Sequence, residues 1–402
     1  MKIVMICDFF DEALEYQENL LLKYYVKHGH DVVVIASTFD SVFSFNADSH
    51  DRSAAGRTYS HGGAKIIKLP YRYNILNRFR ALRGVREILD AERPELIFVH
   101  DIMPELLDAV RYKRRHPQCR VILDFHADYS NSAKNWLSRQ LLHGVVRKNI
   151  LRRARRHLSR IFPIVPASAV FLHEVYGVPH SEMELLPLGM DSDLGREVRD
   201  SGAGRALRSR LGIAQDELVL FTGGKLAPPK RTELAIEAFL ALGRPDVHLI
   251  VVGESASADA AYKARLLRLA ADNPRIHFTG WLGSREIYAC LAAADVAVFP
   301  ASQSILWQQA IGMGLPLLVG NTGHQDVSYL NGHDNIVILP NEQITAARIR
   351  DALHALLGDE RLRARMSAGA RAVTEEMLTW DRLIHKTLQA RRKEYSSAVE
   401  ET

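Results

Sequence analysis

The sequence predicts an α/β fold built as two doubly wound domains. Short runs rich in Val and Ile alternate with segments whose apolar residues recur every three to four positions, the pattern of βαβ units around a parallel sheet. The alternation occurs twice, once on each side of a stretch rich in Gly, Ser, Asp and Arg. At 402 residues the chain is also too long for one ordinary α/β domain. Ligands of such sheets sit beyond the carboxyl ends of the strands, so a cleft between the two domains is the expected site.

In the first half KIVMIC, DVVVIAS, AKIIKLP, LIFVH, RVILDF and FPIVPAS read as buried strands. Between the first two lies YQENLLLKYYVKH, with helical spacing of its apolar residues and Gly29 in place to end it in a left-handed conformation. The second half repeats the pattern with ELVLFTG, VHLIVVG, RIHFTG, DVAVFP, LPLLVG and NIVILP, separated by helices such as ELAIEAFLAL and YKARLLRLAA. The expected organisation is an N-terminal Rossmann-like domain over 1–195 and a linker over 196–212. A second Rossmann-like domain over 213–376 follows, then a C-terminal helix over 377–402 packing back on the first domain.

Composition is that of a globular protein, with 47% hydrophobic and 25% charged residues. There is no apolar run long enough to span a bilayer, and MKIVMICDFF reads as a first strand, not as a signal peptide. Cys7, Cys119 and Cys290 are far apart and lack metal-ligand spacing, so the expectation is a reducing cytoplasm and no metal. The net charge is +5. Arg139, Arg147, Lys148, Arg152, Arg153, Arg155, Arg156 and Arg160 form a block without acidic residues. Leu141, Leu142, Val145, Val146, Ile150 and Leu151 recur among them at helical spacing, as in a helix lying on an anionic membrane surface. No aromatic-interleaved basic motif points to nucleic acid.

Two stretches carry chemistry. In FTGGKLAPPKRTELAIEAF a strand ends at Thr222, Gly223 and Gly224 let the backbone turn close to a ligand, and a helix begins near Thr232. Lys225 and Lys230 beside that helix start suit a diphosphate. The Gly-Lys-Ser/Thr ending of a Walker loop is absent. In the second stretch, DVAVFPASQSILWQQAIGMG, Ser302, Gln303 and Ser304 follow a strand end, and Gln308 and Gln309 fall in the next helix's first turn. Neutral amides there can hydrogen-bond sugar hydroxyls. Gly253 and Trp281, each following a strand of the second series, complete the donor-binding candidates.

With these segments the chain resembles the retaining GT-B glycosyltransferases of family four, the group containing many bacterial polysaccharide and lipid-linked sugar transferases. YVKHGHDVVVIAS, MELLPLGMDSD, GGKLAPPKRTELAIEAF, ADVAVFPAS and QAIGMGLPLLVG carry the resemblance. Lys225 and Lys230 stand where the family's diphosphate-holding arginine and lysine stand. Gln309 replaces the second glutamate, which contacts the donor ribose. The first glutamate has no clear counterpart, since counting from Pro300 gives Ser304 and counting back from Gln309 gives Ala301. Tyr16 and Gln17 replace a Gly-Gly pair on the acceptor side. His126, at the end of ILDFHADYSN, matches the family's histidine near the transferred sugar. His100, paired with Asp101 one strand earlier, and Asp128 are further acceptor-side candidates; Asp128 can equally cap the helix after it.

The resemblance implies transfer of a sugar, with retention, from a UDP- or GDP-linked donor. The acceptor is a saccharide or a lipid-linked molecule of cell-surface polysaccharide synthesis. No cofactor is expected, and the place is the inner face of the cell membrane. His126, Lys225 and Lys230 would be catalytic, the lysines taking the leaving diphosphate's charge. An epimerase of the same fold would instead need cleft carboxylates, for which Asp101, Glu254 and Asp326 are the candidates. A partner subunit that has lost catalysis is the other alternative.

Overall fold

The computed structural model describes residues 1–12, 16–40, 45, 56–133, 136, 138–301, 304–323 and 326–391. The chain divides into two compact units, Met1–Pro187 with Leu383–Thr402, and Leu188–Arg382. Each is a Rossmann-like α/β domain around a largely parallel sheet.

The first unit contains β1 (Lys2–Ile6), β2 (Asp31–Ser37), β3 (Thr58–His61), β4 (Ala64–Leu69), β5 (Tyr71–Ile75), β6 (Phe79–Leu82), β7 (Leu96–His100), β8 (Arg120–Phe125) and β9 (Arg160–Pro163). Its main sheet runs β3-β4-β2-β1-β7-β8-β9, parallel except for the antiparallel edge pair β3–β4. β5 and β6 form a separate hairpin. Both faces of the central strands are covered, so Ile3, Val4, Ile97, Val99, Val121 and Leu123 are fully buried, which is why these strands read as unbroken apolar runs. β3 and the hairpin had no such signal: TYSH is a polar edge strand with alternate residues exposed, and YRYNI is exposed from Arg72 to Ile75. The strand expected at FPIVPAS stops at Pro163, because Pro166 takes the first position of the following helix Pro166–Tyr176. Gly29, at φ +76°, terminates helix Gln17–Lys27 as its position suggested.

The second unit contains β10 (Leu218–Gly223), β11 (Val247–Val252), β12 (Ile276–Gly280), β13 (Val296–Phe299), β14 (Leu317–Asn321) and β15 (Ile336–Pro340). They pair all-parallel in the order β12-β11-β10-β13-β14-β15. That is the doubly wound order whose direction reverses between the first strand and the fourth, here β10 and β13, where a ligand crevice opens.

The stretch 196–212 is not a linker. Helices Ser192–Asp200 and Ala203–Arg210 occupy it, and both belong to the second unit. Gly204 serves close packing instead of flexibility, while Gly202 and Gly212 take positive-φ positions beside the helix Ala203–Arg210. A Cβ on Gly204 would sit 2.6 Å from the Ala292 backbone, so the helix lies flush against helix Ser284–Ala293. Arg208, buried, donates to the carbonyls of Ala293 and Glu217 and to the Asp295 carboxylate at 2.7–2.8 Å.

Helix Trp380–Gln389 carries the last described turns, and from Leu383 onward they cluster with the first unit. Thr387 is hydrogen-bonded to Tyr25, the Leu388 carbonyl accepts from Arg120, and Lys386 donates to the Leu185 carbonyl at 3.2 Å.

Candidate functional site

In the second unit several of the residues expected to bind the donor come together at the ends of β10 and β11. Gly224, at φ +118°, and Gly253, at φ +127°, hold conformations that side chains rarely adopt. They also touch: a Cβ on Gly253 would lie 1.9 Å from the Gly224 carbonyl oxygen, and one on Gly223 2.7 Å from that of Val252. Backbone thus packs on backbone at the ends of β10 and β11, stitched by Gly224 N–H to the Val252 carbonyl at 3.0 Å. A methyl on Gly224 would meet Ser304 Oγ at 3.6 Å and Lys230 Cε at 4.0 Å, so the glycine turn, Lys230 and Ser304 share one small space.

Lys230 is half-buried, and burial pushes its ammonium down to about 8. Lys225 is more exposed, with Nζ 3.5 Å from Asp259. The two lysines that the sequence pairs are therefore unequal: one is desolvated beside the glycine turn, the other is balanced at the rim. The helix start at Thr232 is capped from outside, its N–H donated to the Tyr262 hydroxyl at 2.8 Å.

Adjacent glutamines in helix Ile305–Gly312 have different fates. Gln308 is buried, accepts from Gly189 N–H at 2.6 Å and donates to the Tyr329 hydroxyl at 3.2 Å, so it ties the chain entering the unit to the helical turn Ser328–Leu330. Gln309 has a buried Oε1 with no hydrogen-bond partner among the described residues. An unsatisfied buried acceptor costs about 1–3 kcal/mol, which a ligand hydroxyl would recover. Ser304 caps that helix, accepting from Leu306 N–H at 3.3 Å. Trp281, 66% exposed, follows Gly280, whose carbonyl accepts from Gly253 N–H at 2.9 Å. Gln303 lies outside the described residues.

In the first unit, His100 ends β7 and His126 follows β8, which pairs directly with it. Their rings lie 4.2 Å apart between centroids. The residue between them is one the sequence reading missed: Asp124, fully buried, whose Oδ2 is 3.0 Å from His100 Nδ1 and 3.0 Å from His126 Nε2. Strand alternation was the available signal, since Asp124 and His126 are two residues apart and share a face. Glu18 Oε1 lies 3.4 Å from His100 Nε2. Burial opposes charge on His100, but Asp124 and Glu18 outweigh it and raise the imidazole to about 10. Burial likewise opposes ionisation of Asp124, yet the two imidazoles hold it well below the usual carboxylate range.

The partner expected for His100, Asp101, is instead turned to its own loop, accepting from Ile102 N–H at 2.7 Å. Asp128 does not cap a helix, since residues 129–132 form a turn; its carboxylate closes that turn, accepting from the N–H groups of Ser130 and Asn131 at 2.7 and 3.1 Å. Gln17 is 6% exposed, and neither of its amide atoms has a partner among the described residues. Such a buried amide at a helix start is poised for a ligand's polar group. One nitrogen from each histidine and an Asp124 oxygen all lie within 4.8 Å of one another, the grouping among the described residues that could hold a metal ion. Two of those contacts are already those of a charge-balanced ion-pair set. Of the carboxylates an epimerase would need, Glu254 is paired with Lys263 at 2.7 Å and Asp326 accepts from Ser328 N–H at 2.9 Å.

Residues 19–194 match the model of Glycosyltransferase Family 4, and residues 216–359 match that of Glycosyl transferases group 1. D-inositol 3-phosphate glycosyltransferase of Xylanimonas cellulosilytica is 26% identical over 217 residues, 52% of this chain and 51% of that protein. The same enzyme of Nocardia farcinica is 27% identical over 212 residues, 50% of this chain and 45% of that protein. The matched region thus spans about half the length of these curated relatives. Among solved structures, Anabaena Alr3699/HepE in complex with UDP and glucose superposes with a TM-score of 0.66 at 17% identity, covering 96% of this chain and 99% of that one. A glycosyltransferase from Rickettsia africae superposes with a TM-score of 0.69 at 13% identity, covering 96% of each chain. Two doubly wound units, matched in turn by the two halves of one enzyme class, place this chain in the glycosyltransferases of family four, with the GT-B fold.

Proposed function

We propose that this protein transfers a sugar, with retention, from a UDP- or GDP-linked donor to a saccharide or lipid-linked acceptor in cell-surface polysaccharide synthesis. The observation that carries the reading is the convergence of Gly223, Gly224, Lys230 and Ser304 at the switch point of the second unit. In this reading the glycine turn admits the diphosphate, and Lys230 and Lys225 take up the charge that develops as the sugar–phosphate bond breaks. Gln309 receives a donor hydroxyl on its unsatisfied oxygen, and Trp281 offers a face for the base. His126 is the first unit's contribution to the reaction, and the leaving phosphate takes the acceptor's proton. The names of the curated relatives make D-inositol 3-phosphate one acceptor to include in a panel. The test is thermal shift with UDP-, GDP- and ADP-sugars followed by transfer assays with the stabilising donor. Donor consumption without any acceptor would favour an epimerase, and donor binding without turnover a partner subunit.

The same proposal places the protein on an anionic membrane. No helix among the described residues is long and apolar enough to cross a bilayer. The apolar stripe expected over 141–151 is divided: Leu141 and Val145 are about half exposed, whereas Ile150 and Leu151 are core. Arg155 pairs with Glu182, and Arg160 approaches Glu184. Arg152, Arg153 and Arg156 join Arg111 and Arg114 around a groove of about 500 Å³, with the 74%-exposed Trp136 also on the surface of this unit. Changing Arg152, Arg153 and Arg156 together to Gln is expected to abolish co-sedimentation with anionic vesicles at physiological salt, where charge is screened over about 8 Å. Equal sedimentation of variant and parent would remove the membrane from the proposal.

A further inference from the structure

Asp124 does something that neither the family resemblance nor the site candidates required. A carboxylate with no exposed surface lies between two imidazoles and meets both through one oxygen, at 3.0 Å each. A buried carboxylate is tolerated only where partners compensate its lost hydration. Here the compensation is asymmetric. His100 is enclosed by two carboxylates, Asp124 on Nδ1 and Glu18 near Nε2. Among the described residues His126 meets one carboxylate, Asp124, through Nε2, and remains partly exposed. A ring nitrogen bonded to a carboxylate carries the hydrogen, which decides what the other nitrogen can do.

We infer that Asp124 is the positioning residue of this site: it fixes the hydrogen of His126 on Nε2 and leaves Nδ1 as the nitrogen offered to the reacting molecules, while His100 supplies its counter-charge. Asp124 touches no substrate and acts through His126. This rests on the proposed role of His126 in transfer, but the placement of the hydrogens can be read without any activity. The environment of His100, which raises it to about 10, agrees with a ring that stays charged and serves Asp124.

The decisive measurement is nitrogen NMR of the full chain labelled in histidine with nitrogen-15, at pH 7.5 and with single His→Gln variants for assignment. His126 is expected with its hydrogen on Nε2 and an unprotonated Nδ1, and His100 with hydrogen on both nitrogens. A hydrogen on Nδ1 of His126, or a neutral His100, overturns the inference. So does a shift of both histidines on adding zinc chloride with a gain in transfer, which would make the cluster a metal site. Asp124→Asn keeps the shape and removes the charge. It is expected to lower kcat by about 100-fold or more, up to the full contribution of a positioned acid–base side chain, with donor KM little changed. A raised donor KM at unchanged kcat would place Asp124 in binding and overturn its role. Should Asp124→Asn fail to fold, the spectrum of the parent protein still decides. If no transfer is found for any donor, the expected hydrogens still uphold the positioning of His126, and only the proposed function fails.

Discussion

Lys230→Ala is expected to lower kcat/KM for the sugar-nucleotide donor by about 100- to 1,000-fold, the scale of losing one well-placed group that stabilises developing charge. Its place in the structure is the reason. Lys230 packs beside Gly224 in a crevice where backbone meets backbone, so a diphosphate there would be held by a partly dehydrated cation. The same desolvation gives the prediction a pH signature. Burial lowers the ammonium to about 8, so in the free enzyme it is charged below that pH and loses its proton above it. The kcat/KM profile, which reports the free enzyme, should therefore fall as pH rises past about 8. Lys230→Arg should move that limb upward, because a guanidinium stays charged.

Stability should respond in the opposite direction. A lysine whose folded value lies below its unfolded one costs stability while charged. That cost is complete below about 8 and fades as pH rises toward the ordinary value of 10.5. Lys230→Met should then match or exceed the parent in melting temperature at pH 7 without donor, while losing activity. An active Lys230→Ala, or one that is inactive only because it melts early, would remove Lys230 from the site.

His126→Ala is expected to lower kcat by about 100-fold or more, within the range for a positioned acid–base or polar side chain. Donor affinity should stay within a few-fold of the parent. The separation follows from which unit holds what: His126 and Asp124 belong to the first unit, whereas Gly224, Lys230 and Gln309 belong to the second. Single-turnover rates at saturating donor, set beside calorimetric titration with the nucleoside diphosphate, distinguish the two quantities. A variant that loses donor binding but keeps its saturated rate would show His126 to be a binding residue. The buried pair left behind, Asp124 with His100, still balances its charge, so the variant should fold.

How much of this was legible in advance varies residue by residue. The central strands of both sheets were, because full burial on two faces writes an apolar run and leaves little room for another reading. Gly223 and Gly224 were also legible as close-approach points, but not their packing on Gly253, which meets Gly224 only once β10 and β11 pair. Composition misled at 196–212, where Gly204 looked like flexibility and proved to be the space needed for one helix to lie on another. Gln308 and Gln309 were indistinguishable as letters. The fold made one a satisfied strut and left the other with an unsatisfied oxygen.

By itself, then, the sequence determined the alternation of strand and helix, the two doubly wound units and the loops in which chemistry would fall. These follow from periodicity and turn residues, which act over a few neighbouring positions. Only the tertiary structure decided which polar groups meet. His100 and Asp124 are 24 positions apart in sequence. They come within 3.0 Å because β7 and β8 pair in parallel with His100 opposite Asp124. That register places a charge beside two imidazoles and out of reach of water, and a local pattern cannot encode it, because the stabilising partner arrives from another strand.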